Sequence, residues 1–248
     1  TDILLSLVKD ENAPIPPVFI EALRGYLTDK TLDKAFIAKA FILPSERMLA
    51  EQTEFVDVDA IHRARETLRR HIAAELKAEL LDAYASNKTT GAYVPNAADS
   101  GKRAVKNTAL TYLSLLDDSL AQKQYYAAAQ MTDKDAAVRV FAGKSSAQAK
   151  AIMDDFYQTY KADSLVVDKW LAMQATANEN SLAVVKKLLH HEAFSLTNPN
   201  KVRALIGAFA ANLTALHKAD GSGYDFIVEQ TLAVDKINPQ IAATIPVA

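Results

Sequence analysis

The chain has 248 residues, half of them hydrophobic, with a net charge of −2 and no cysteine. That balance gives no general electrostatic reason to bind nucleic acid or a membrane surface, and the missing thiols exclude disulfides and thiolate metal sites. No apolar run reaches the ~18 residues a membrane-spanning helix needs.

Glycine and proline number only 7 and 8, too few for the many turns of a β-sandwich or barrel, so helices are expected. The start, Thr1-Asp2-Ile3, is neither a signal peptide nor a natural initiation site and reads as an excised piece or a processed product. Residues 2–9 give a short helical face with Ile3, Leu4, Leu7 and Val8. The prolines between Asn12 and Pro17 stop it, and Pro16 and Pro17 suit the first turn of the next helix. Phe19, Leu23, Tyr26 and Leu27 follow at helical spacing, then Leu32, Ala35, Phe36 and Ala40. Leu43-Pro44-Ser45-Glu46 breaks the pattern, with Ser45 as N-cap of the next helix.

Asp57 to Tyr84 is the longest periodic stretch. Asp57 or Asp59 caps it, and Ile61, Leu68, Ile72, Leu76, Leu80 and Tyr84 form its buried stripe. Its basic run, Arg63, Arg65, Arg69, Arg70 and His71, reads as a solvated face with pairs such as Glu66–Arg70 rather than an anion site, since the overall charge is balanced. Ser86–Asp99 is the expected long loop, followed by helices over roughly 100–116 and 118–130. Thr132 or Asp133 caps a helix over 134–142, Gly143 ends it, and Ser145 or Ser146 caps the next, to Tyr160. Ser164–Ala175 carries Leu165, Val166, Met173 and Trp170, the one tryptophan, which reads as packing. Asn178–Ser181 turns into a helix over Leu182–His190.

Asn198–Tyr224 stands apart, because three of the seven glycines, Gly207, Gly221 and Gly223, fall in it. Its helix buries Val202, Leu205, Ile206 and Phe209, and it closes on Asp220-Gly221-Ser222-Gly223, where the glycines read as caps at positive φ. Arg203 either points into a cavity to meet a carboxylate or packs its stem and reaches water with its head. The helix Tyr224–Asp235, the Asn238-Pro239 start of a last short helix and the end at Ile245–Ala248, which has no stop signal, complete the chain. The result is an all-α fold of about a dozen short helices, stacked as antiparallel pairs into a solenoid or superhelix of the ARM/HEAT kind, without a strict sequence repeat.

Catalytic motifs are not met. His191-Glu192-Ala193-Phe194-Ser195 has serine where a zincin helix needs its second histidine, and His190 points elsewhere. His217 and Asp220 lack a nucleophile elbow and read as capping. Gly221-Ser222-Gly223 lacks the lysine and strand of a phosphate loop. The neighbours Asp117-Asp118 and Asp154-Asp155 diverge on a helix and read as solvated.

The run Asn198-Pro199-Asn200-Lys201-Val202-Arg203-Ala204-Leu205-Ile206-Gly207-Ala208-Phe209 resembles the signature of the C-terminal domain of bacterial aminopeptidase N. The match continues through His217, Asp220–Tyr224 and Asn238-Pro239-Gln240, and upstream through Leu43–Glu46, Thr132 and Asp168-Lys169-Trp170 with Gln174-Ala175, so it spans nearly the whole chain. The resemblance implies a cytoplasmic zinc metallopeptidase that removes N-terminal residues from peptides. Its metal sits on an H-E-x-x-H helix, and a G-A-M-E-N loop grips the substrate amine. Neither motif occurs here, so residues 1–248 are expected to be one non-catalytic helical C-terminal domain, with the zinc domain before Thr1 and further helices after Ala248. Such a domain contacts its own catalytic domain, encloses the active-site chamber and limits access to it. The resemblance assigns Arg203, with Lys201 and Asn200, to the substrate channel, and places Thr244 where the family has a chamber-facing arginine. It implies no catalytic residue, metal or cofactor in this chain. The rival reading is a helical-repeat scaffold that holds a protein partner.

Overall fold

The computed structural model describes residues 1–91 and 93–245; position 92, within the expected long loop, and the closing 246–248 lie outside the described residues. The described residues contain helices and no strand. The chain divides into two compact units, Thr1–Val140 and Phe141–Ala248.

The first unit holds α1 (Asp2–Lys9), α2 (Pro17–Thr28), α3 (Lys34–Ala40), α4 (Glu46–Ala50), α5 (Val58–Glu75), α6 (Lys77–Ser86), α7 (Ala97–Leu113), α8 (Ser119–Ala127) and α9 (Met131–Arg139). Side-chain caps set several starts: Asp33, Ser45, Asp57 and Asn96 each accept a backbone N–H in the first turn. Helix α7 is the hub and packs on α6, α3 and α9, while α1 and α4 cover α5. Gly101 lets α7 approach α3, since a Cβ there would stand 3.0 Å from that of Lys34.

The expected stripe of Ile61, Leu68, Ile72, Leu76, Leu80 and Tyr84 is buried throughout. The stretch that carries it is not one helix, because Leu76 leaves helical geometry at φ −110°, ψ 20° and α6 begins after it. Arg69, not Arg70, pairs with Glu66, and the Arg70 guanidinium donates instead to the Leu115 carbonyl. On α3, Ile37 and Ala38 fill the core, while Phe36 stays half exposed and sets its ring edge-on to Tyr26.

Asp133 departs furthest from expectation. Gln130 is the N-cap of α9, and Asp133 lies buried inside the first turn. Its carboxylate pairs with the buried Lys106 ammonium and accepts from Asn107 Nδ2 at 3.0 Å. Gln124 Nε2 donates to Asn107 Oδ1 at 2.9 Å and to the Asp133 carbonyl at 2.8 Å, closing a polar knot among α7, α8 and α9.

A second polar cluster ties the α3–α4 link to α5. Glu46 lies 2.7 Å from His62 Nδ1, and Arg65 Nε donates to the Pro44 carbonyl at 2.7 Å. Burial alone would raise the Glu46 carboxyl, but His62 and Arg65 outweigh it and hold the group below the usual carboxylate range. A lowered pKa means stability that is present above the unfolded value and lost as pH falls through the folded one. Glu46→Gln should therefore flatten the acid limb of stability between about pH 5 and 3, read from urea midpoints across that range.

The second unit holds α10 (Ala147–Tyr160), α11 (Ser164–Ala175), α12 (Ser181–Leu188), α13 (Pro199–Val202), a π-helical turn (Arg203–Gly207), α14 (Ala208–Ala210), α15 (Leu213–Leu216), α16 (Ser222–Asp235) and α17 (Pro239–Ala242). Helix α11 is central and packs on α10, α12, α14 and the π turn. Trp170 is buried, as expected, and its indole N–H donates to the Met153 carbonyl at 3.1 Å. No helix among the described residues is long and apolar enough to cross a membrane.

Candidate functional site

The Asn198–Tyr224 stretch is built from the second unit alone. Asn198 Oδ1 accepts from the Asn200 and Lys201 N–H groups, and Pro199 takes the first helical position, where its missing donor costs nothing. After one turn the helix widens: the Ala208 N–H reaches back five residues to the Arg203 carbonyl. This single π turn fits an extra residue between Val202 and Ala208, and such bulges occur frequently at functional sites. Val202, Leu205, Ile206 and Phe209 all turn into the core as expected. Asn212 then clamps the far end, donating to the carbonyls of Ala175 and Asn178 at 3.0 and 2.9 Å while its Oδ1 caps α15.

The two cations of the stretch part company. Lys201 is buried, and its ammonium donates to the Ser164 carbonyl at 3.1 Å and lies 2.7 Å from Asp168 Oδ1. The Asp168 contact is an ion pair rather than an aligned hydrogen bond, because that oxygen has no partner of good geometry. Arg203, two residues on, is exposed, and Asn200 Oδ1 accepts from its Nη1 at 3.4 Å. Arg203 and Thr244, the two positions singled out for a chamber wall, line one cavity of about 220 Å³ with Val202, Gly207 and Ile245. Lys201 lines a different cavity, of about 410 Å³. The first hollow can take a small apolar group beneath a guanidinium able to hold a carboxylate.

His191 and His217 take structural places. His191 Nδ1 accepts the Ala193 N–H at 3.1 Å, which leaves its other ring nitrogen as donor in the neutral ring. The ring packs edge-on to Tyr157 at 4.9 Å and against Trp170 at 5.3 Å. His217 lies 2.5 Å from the Tyr224 hydroxyl and not against Asp220, whose carboxylate accepts the Ser222 N–H. The bond from the Ser222 side chain first, and then this one from its N–H, hold the Asp220 carboxyl below its ordinary range. Of the two closing glycines only Gly221 has a positive φ, 75°; Gly223 is there for space, and a Cβ on it would stand 2.2 Å from the Leu216 carbonyl oxygen. No group of three or more His, Cys, Asp or Glu able to hold a metal occurs among the described residues.

Periodicity reveals neither the π turn, nor the Lys201–Asp168 pair, nor the cluster of Tyr157, Trp170 and His191. The pair has no local signal in the sequence, because Lys201 stands between Asn200 and Val202 and its partner lies 33 residues upstream.

Short capped helices packed on one another, with no strand among the described residues, define the class: an all-helical domain. The chain belongs to the family described as Domain of unknown function (DUF3458_C) ARM repeats, which it matches over residues 1–246. It is 37% identical over 235 residues to Aminopeptidase N of Escherichia coli (strain K12), covering 92% of this chain and 27% of that protein. The corresponding protein of Haemophilus influenzae is 35% identical over 94% of this chain, and that of Caulobacter vibrioides 33% over 91%. Among solved structures, Legionella pneumophila aminopeptidase A in complex with aspartic acid superimposes with a TM-score of 0.87 at 27% identity, over 98% of this chain and 30% of that one. These similarities bear out the resemblance to bacterial aminopeptidase N, and the chain spans about 27% of the length of the curated relatives it matches.

Proposed function

We propose that residues 1–248 are the non-catalytic C-terminal helical domain of a cytoplasmic zinc aminopeptidase N that removes N-terminal residues from peptides. The metal belongs to the catalytic domain of the longer protein, which is the principal partner of this one. The domain encloses the active-site chamber and restricts entry by size. Arg203, oriented by Asn200, faces bound peptide and offers its guanidinium to a backbone carbonyl or a terminal carboxylate. Lys201 acts behind them by holding α13 onto α11. The observation that supports this reading most is the match of nine-tenths of this chain to about a quarter of three aminopeptidases.

In the longer protein, Arg203→Ala should raise KM for tri- and tetrapeptides about tenfold, which is about 1.4 kcal/mol of lost binding, and leave alanyl-p-nitroanilide turnover unchanged. Equal kinetics at every peptide length would remove Arg203 from the chamber. The isolated chain, supplied with zinc, should not hydrolyse the anilide. Capture of an unrelated protein with no affinity for the catalytic domain would favour the scaffold reading.

A further inference from the structure

The 410 Å³ cavity that receives Lys201 has no part in the function proposed above. Its lining mixes Tyr157, Val167, Ala162 and Ala193 with three charged groups, Lys161, Glu192 and Lys201. Two of these groups are fixed in place. Lys201 is nine-tenths buried and lines the cavity, with its ammonium donating to the Ser164 carbonyl and paired with Asp168. Glu192 is exposed, and the Tyr157 hydroxyl holds it, donating to Oε1 at 2.9 Å. Burial first, and then the Glu192 carboxylate, push the Tyr157 phenol upward, so it remains a donor. The Tyr157 ring packs against that of Trp170, with centroids 4.7 Å apart. The carboxylate therefore rests on a side chain that is itself packed in the aromatic cluster.

A simple anion would meet Glu192, and a simple cation would meet two lysines. A molecule carrying both charges satisfies each end, and a cavity of this volume falls in the range of small-ligand sites. We propose that this cavity binds a zwitterion of amino-acid or dipeptide size, with its ammonium on Glu192 and its carboxylate on Lys201, Lys161 adding charge at the rim. The apolar part of the ligand rests on Tyr157 and Val167. The site stands apart from the Arg203 cavity and does not depend on the aminopeptidase reading.

Titration calorimetry on the full chain with L-alanyl-L-leucine, its N-acetyl form and its C-terminal amide tests the assignment. The free dipeptide should give a saturable isotherm, and each blocked form should bind at least about tenfold more weakly, since each loses one charge-assisted contact. Glu192→Gln, at an exposed position that does not threaten folding, should weaken the free dipeptide by a similar factor and make no further difference to the N-acetyl form. No heat of binding at about 10 mM dipeptide, equal binding of the blocked forms, or unaltered binding to Glu192→Gln would each overturn the proposal.

Discussion

Gly223→Ala is expected to destabilise the second unit by about 3 kcal/mol or more and to lower its melting midpoint by roughly 10 °C. The added methyl would lie 2.2 Å from the Leu216 carbonyl oxygen and 2.7 Å from that of Ala215. Both are main-chain atoms at the end of α15, so relief requires α15 and α16 to move apart as bodies. Phe209 and Phe226, 5.1 Å apart in the core behind them, would lose their contact if they did. Gly207→Ala is the control. Gly207 has ordinary helical angles, φ −62° and ψ −41°, and open space where the methyl would go. That change should be neutral or stabilise by up to about 1 kcal/mol, the difference in helix propensity. Thermal melts of the two variants against the parent decide it. Equal midpoints for both alanines would mean that α15 and α16 have slack.

The second large effect belongs to the first unit. Asp133→Ala should cost about 3–5 kcal/mol, because it strands the Lys106 ammonium at a site where that side chain is only 8% exposed. The magnitude separates two roles for this residue. A helix cap lost to alanine costs about 1 kcal/mol, while a broken buried ion pair costs several times that. The double replacement Lys106→Met with Asp133→Leu should recover most of the loss, since a buried pair exchanged for apolar groups of similar volume is often neutral. Urea curves measure both, with an unchanged slope and a shifted midpoint as the expected form. A loss near 1 kcal/mol for the single change would restore Asp133 to the capping role.

What the sequence displays is local. Apolar spacing identified the α5–α6 stripe residue by residue, and Ser45, Asp57 and Ser146 are N-caps as their positions suggested. Spacing could not reveal the break at Leu76, because Leu76 is itself buried and continues the stripe across the corner. Asp133 misled for the opposite reason: an aspartate two residues into a helix resembles a cap until Lys106, 27 residues earlier, arrives beside it. The same limit holds at the candidate site. Asn198, Pro199 and the four core positions after them were legible, because each acts within a turn or two. That Lys201 and Arg203 open on separate cavities was not, since this depends on Asp168 and Thr244 at distant positions and on a π turn that no residue type announces.

Trp170 has one more consequence. It is the only indole in 248 residues, and it sits nearly buried in the second unit against Tyr157 and His191. Selectively excited emission therefore reports on the second unit, where Trp170 packs, whereas far-ultraviolet dichroism sums over every helix. Recorded together on one sample, the two optical signals will coincide if the halves of the chain melt as one and separate if they do not. Gly223→Ala would then shift the fluorescent transition, and Asp133→Ala the part of the dichroism that the fluorescence leaves unexplained.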